Sequence, residues 1–127
     1  MVVADTGVLI DAIEKAREPM HSRVRAFLRE GELATTAISL YELTAGPRTT
    51  PAQLELLHAA LAPVVVLPLT RGAADVAAGA ARHLARAGAS LAVPDTLIAG
   101  ICIAHDLPLL TRNRDPFSRI PGLRLVA

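Results

Sequence analysis

A single cysteine, Cys102, rules out an internal disulfide and any thiolate zinc cluster, and suits a reducing compartment. Tryptophan is absent, and Phe27, Tyr41 and Phe117 are the only aromatic residues, so there is no platform for stacking unpaired bases in number. Charge of one sign is also missing. Thirteen basic and 12 acidic residues leave a net charge of +1, which draws the chain neither to nucleic acid nor to an anionic membrane. The most apolar stretches, residues 59–69 and 97–104, are too short to span a bilayer and are broken or flanked by Pro63, Pro68, Asp95 and His105. The start of the chain runs straight into an apolar segment carrying Asp5, without the basic region and long apolar core of a secretion signal, so a cytoplasmic location is expected. His21, His58, His83 and His105 show no ligand-like pairing and no serine sits in a nucleophile elbow, which argues against zinc and triad chemistry.

What is present is an alternation of short apolar runs with longer stretches of helical period. Hydrophobic residues make up 52% of 127, enough to fold one compact domain over residues 1–127. Residues 1–4 read as a buried strand and 6–16 as a helix with Val8, Leu9, Ala12 and Ile13 on one face. A second helix follows over 20–30, ended by Gly31, and then a short strand at 33–35. Helices are expected over 37–45 and from Pro51 to Leu61. Residues 64–67, β-branched and bounded by Pro63 and Pro68, suggest a strand buried on both faces. Helices over 71–87 and 96–105, a strand at 109–110, a polar loop over 112–118 and a last strand near 123–126 complete the pattern. Strands alternating with helices imply an α/β fold, a parallel sheet with helices on both faces.

Acidic residues stand at telling places in this pattern. Active sites of open parallel sheets form where the carboxyl ends of strands meet the following helices, and Asp5 stands immediately after the first expected strand. Asp95 falls at the expected start of a helix, where its carboxylate could simply cap free amides. Glu42, within the helix after the second strand, reads equally as a solvated surface residue. Three carboxylates brought within a few ångströms would repel and be driven toward protonation, so such a set makes physical sense mainly around a cation.

Four segments carry a resemblance over nearly the whole chain: V-V-A-D-T-G-V-L-I at Asp5, T-T-A-I-S-L-Y-E-L at Glu42, P-D-T-L-I-A-G-I-C-I-A-H-D-L-P-L-L-T-R-N from Asp95, and the closing R-D-P-F-S-R-I-P-G-L-R-L. In order and spacing they resemble the PIN-domain nucleases, and among them the VapC-type toxins of bacterial toxin–antitoxin pairs. The resemblance implies a three-layer α/β/α domain around a short parallel sheet. It implies a Mg2+-dependent endoribonuclease, with Mn2+ as a substitute, in which Asp5, Glu42 and Asp95 converge. Gly7 departs mildly, since Asn or Ser is frequent there. A fourth acid of the family falls on Asn113, and Asp115 two residues on is the other candidate for that place. The expected catalytic set is therefore Asp5, Glu42, Asp95 and Asp115, with Asp5, Asp95 and Asn113 on the metal. Thr6 is expected to orient water or phosphate, or else to cap the first helix. Arg112 and Arg114 on the rim, with Arg119 nearby, match phosphate geometry and are expected to meet the RNA backbone.

The same resemblance implies a homodimer and a VapB-type antitoxin as protein partner; Val8, Leu9, Val24, Phe27 and Leu28 exceed what one core need absorb, so they are expected as an apolar contact surface, with core packing as the alternative for most of them. Two other readings compete. A haloacid-dehalogenase-like phosphotransfer enzyme would need a second Asp where Gly7 stands and a suitable lysine, and Lys15 is the only one. A PIN-like module that has kept its acids without catalysis is the other.

Overall fold

The computed structural model describes residues 1–127. Its elements are β1 (Val2–Ala4), α1 (Thr6–Leu9) running into a π-helical turn (Ile10–Glu14), α2 (Met20–Arg29), β2 (Leu33–Thr36), α3 (Ala37–Thr44), α4 (Pro51–Leu61), β3 (Val65–Leu67), α5 (Arg71–Arg86), α6 (Val93–Ala104), β4 (Leu109–Leu110) and α7 (Arg114–Ser118). The expected first helix is thus not one regular helix: Lys15 N–H reaches back five residues to Ile10 O, widening the turn that carries Asp11. Threonines start three helices. Thr36, Thr50 and Thr70 accept from the backbone of Ser39, Gln53 and Ala73 respectively, and Gln53 returns the bond to Thr50 as a capping box.

All four strands are parallel, in the order β3-β2-β1-β4. The side-chain alternation of a strand then divides the core in two. Val3, Ala34, Leu67 and Leu109 face α5, α6 and the buried Phe117 of α7, whereas Val2, Ala4, Leu33 and Leu110 face α1, the π-helical turn, α2 and α4. This is the expected three-layer α/β/α arrangement. Helices α5 and α6 approach closely because Gly100 has no side chain: a Cβ there would stand 2.5 Å from Ala73 O and 2.7 Å from Ala77 Cβ.

Four further expectations need correction. β3 is an edge strand, not one buried on both faces; Val65 and Val66 are exposed and only Leu67 is buried. Residues 112–118 are not a polar loop, since α7 occupies most of them and drives Phe117 into the core. Val8, Leu9 and Val24 lie inside the second core, with Phe27 and Leu28 half-buried against it, so they do not form a free apolar contact surface. In place of a regular last strand, Leu125 makes one parallel bridge to Leu109.

Candidate active site

The chain steps outward from β1 to β2 and β3, then returns to place β4 on the other side of β1. Between β1 and β4 the strand order reverses, the kind of switch point at which open parallel sheets bind ligands beyond the carboxyl ends of their strands. Asp5 and Thr111 flank it. Asp5 is the N-cap of α1, with Oδ1 accepting from Thr6 N–H at 2.8 Å, and its Oδ2 accepts from Thr111 Oγ1, also at 2.8 Å. Thr111 Oγ1 in turn accepts from Asn113 N–H at 3.0 Å. Both oxygens of this buried carboxylate are oriented, and each keeps a further lone pair.

Glu42 is placed by a chain of hydroxyls. A carboxylate oxygen can only accept, so Thr6 donates its one hydroxyl proton to Glu42 Oε1 at 2.7 Å. Ser39 Oγ, 2.8 Å from Thr6 Oγ1, must then be the donor to Thr6, and Thr36 Oγ1 donates to Ser39 Oγ at 3.4 Å. The direction runs Thr36 to Ser39 to Thr6 to Glu42. Ser39 and Thr36 are fully buried while Glu42 is exposed, so the chain leads from the core to the surface. Thr6 therefore does not cap the first helix; Asp5 does.

Asp95 is not a cap either. Ala92 is the N-cap of α6, and Asp95 lies in the first turn, half-buried. Burial first, then the charges of Asp5 and of Glu42, push its carboxyl above the ordinary 3.8. Burial, and next Asp5, also push the Cys102 thiol up to about 12, which keeps it an inert thiol. Three segments thus bring Asp5, Glu42 and Asp95 into one field, although no three acidic, His or Cys side chains close around a point as a finished cation cage.

The remaining expected residues lie on the β4–α7 side. Asn113 and Asp115 are both exposed; Asp115 pairs with Arg119 at 3.2 Å, while Asn113 is tied by its backbone to Thr111 and makes no side-chain cap. Arg112 pairs through Nε with Asp11 Oδ2 at 2.9 Å, and Arg114 donates to Val126 O, which ties it to the C-terminal segment. Sequence reasoning missed Thr111, Ser39 and Asp11. Thr111 stands within the quoted L-L-T-R-N segment, and Ser39 lies three residues before Glu42 on the same helix face, so both were findable by spacing. Asp11, set among the apolar residues from Val8 to Ile13, gave no signal of its own.

The PIN domain family model matches residues 2–123. The tRNA(fMet)-specific endonuclease VapC of Salmonella typhimurium is 30% identical over 124 residues, covering 95% of this chain and 92% of that protein. The enzyme of the same name from Shigella flexneri is 28% identical over 123 residues, covering 94% and 92%. Among solved structures, DNA-bound VapBC from Salmonella typhimurium superposes with a TM-score of 0.82 at 27% identity, covering 99% of this chain and 98% of that one. VapBC2 from Rickettsia felis, bound to a fragment of its promoter, gives 0.86 at 23% identity with the same coverage, which bears on the fold.

Proposed function

Because the chain belongs to the PIN domain family, we propose that it is a divalent-metal-dependent endoribonuclease, the toxin of a type II toxin–antitoxin pair. The observation that carries this reading is the placement of Asp5, Glu42 and Asp95 at the switch point of the sheet, with Thr6 bonded to both Asp5 and Glu42, and with the Asp95 carboxyl raised by burial first and then by the charges of Asp5 and Glu42. Crowded acids are what a hard cation relieves. The donor set fits Mg2+, or Mn2+ in its place, because such ions take oxygen ligands, keep several waters and need only one or two protein carboxylates rather than a closed cage. When bound, the ion would acidify a water and stabilise charge developing on the phosphodiester.

The chain's own residues divide the rest. Asp5 and Asp95 would hold the ion, with Asp5 fixed by Thr6 N–H and Thr111. Glu42, oriented by Thr6, would accept a proton at Oε2, the oxygen that Thr6 leaves free. Asn113 is the better candidate to complete the site, because it is bonded to the threonine that holds Asp5, whereas Asp115 is engaged by Arg119. Arg112 would meet substrate phosphate. Arg114 would do so only by leaving Val126.

Relatives named as RNA endonucleases and neighbours solved as VapBC complexes support RNA as substrate and a VapB-type antitoxin as partner. A homodimer is proposed with them, though not through Val8, Leu9 or Val24. The phosphotransfer reading gains nothing, for Lys15 lines a separate groove of about 680 Å3 with Arg48 and Gln53.

The test is degradation of labelled RNA by purified protein. EDTA should abolish it, Mg2+ or Mn2+ restore it, and Asp5→Asn reduce it by about a hundredfold or more. Metal-independent cleavage, or full activity in Asp5→Asn, would overturn the reading. Co-purification from the native operon should yield a small antitoxin; a clean monomer would count against the toxin role.

A further inference from the structure

Asp11 takes no part in the three-acid set, yet it is only 4% exposed in the π-helical turn. A carboxylate so placed is tolerated because Arg112 Nε stands 2.9 Å from its Oδ2. Gly7 and Asp11 are four residues apart and share one face of the first helical segment. Arg112 lies along that face, with Nη2 3.5 Å from the point a Cβ of residue 7 would occupy. Its guanidinium therefore runs from Asp11 back toward the start of α1, where Asp5 and Thr6 stand. The Arg112 side chain remains 54% exposed.

Other rim arginines lack this placement. Arg114 is bound to Val126 O, and Arg119 pairs with the exposed Asp115. An arginine with no buried anchor samples many rotamers, and holding one of them costs side-chain entropy. Arg112 is held in advance. With Nε engaged, the Nη edge of the planar fork is left for a second anion. A phosphate approaching three carboxylates meets a repulsive field, which a fixed cation beside them offsets. Gly7 contributes by absence, since a longer polar side chain would occupy the space that Nη2 lies over.

We propose that Asp11 is a positioning residue that fixes Arg112 over Gly7, so that the Nη groups of Arg112 bind a backbone phosphate of RNA beside Asp5. This rests on the ribonuclease reading above. It makes Asp11 act only through Arg112.

The experiment measures KM and kcat on a fluorescein-labelled single-stranded RNA 12-mer for wild type, Asp11→Asn, Arg112→Gln, Arg112→Lys and the double variant Asp11→Asn/Arg112→Gln, with melts alongside. Arg112→Gln should raise KM about tenfold with kcat within about threefold, and flatten the slope of log(kcat/KM) against log[salt] by about 0.7, the loss of one single-strand phosphate contact. Asp11→Asn should raise KM by a smaller factor and have no further effect once Arg112 is replaced. Arg112→Lys, which still neutralises Asp11, should keep the melt and lose affinity. The proposal is overturned if Asp11→Asn raises KM equally with and without Arg112, or if it lowers kcat and melting together at unchanged KM. Should wild type bind the 12-mer without cleaving it, the ribonuclease reading fails while the same variants still test the clamp through Kd. Should it neither bind nor cleave, both fall.

Discussion

At the scale of single residues, the charge on Asp95 is a liability that a cation should turn into an asset. Its carboxyl lies above 3.8 in the folded protein, through burial, Asp5 and Glu42. Between 3.8 and that raised value the native state therefore holds a proton that the unfolded chain has released, so stability is full below 3.8 and falls as pH rises through the folded value. Since Asp95 caps nothing, Asp95→Asn loses no capping bond. In EDTA at neutral pH the variant should melt at or above wild type, and the gap should close on acidification below 3.8, where both side chains are neutral. Saturating Mn2+ should reverse the ranking, because an ion at about a hundred times its Kd adds roughly 2.7 kcal/mol to the protein that binds it. A variant that melts lower in EDTA, with the same metal response as wild type, would make Asp95 structural. The fourth position can be read at the same scale. Asn113→Ala should weaken metal activation more than Asp115→Asn does, and Asp115→Asn should cost under about 1 kcal/mol of stability, since its pair with Arg119 is exposed.

Among the elements, the contact of α5 with α6 is the least forgiving. Gly100→Ala drives a methyl toward Ala73 O and Ala77, both on a helix that cannot give way without losing the sheet beneath, and should cost about 3 kcal/mol or more in urea unfolding. A cost under about 1 kcal/mol would show that the two helices can part. The sequence was most legible where one local rule decides an element. Pro51 placed the start of α4, and Gly31, at positive φ, marked the end of α2. It misled where tertiary position overrides local pattern. Val64, Val65 and Val66 look like a central strand, but exposure at the sheet edge depends on strand order, which no local run encodes. Phe117 looked like a loop aromatic because Asn113, Arg114 and Asp115 around it are polar. Asp5, Glu42 and Asp95 were visible in advance, but Asp11 was not, because its meaning comes from Arg112, a hundred positions along the chain.

For the whole molecule, β4 and α7 matter out of proportion to their length. Leu109 and Phe117 belong to one core and Leu110 to the other, while Thr111 supplies the hydrogen bond to Asp5 across a separation of 106 residues. A chain cut after Asp106 should lose cooperative unfolding and cleave nothing, as circular dichroism and an RNA assay would show; native-like melting of the fragment would contradict this. That long-range bond also sets an order of events during synthesis. A ribosome adding about 5–20 residues per second lays down Asp5 first, Glu42 and then Asp95 later, and Thr111, which holds Asp5 in place, after all three. A chain that has emerged only as far as Asp95 thus carries the three acids without the hydrogen bond from Thr111 that orients the first of them.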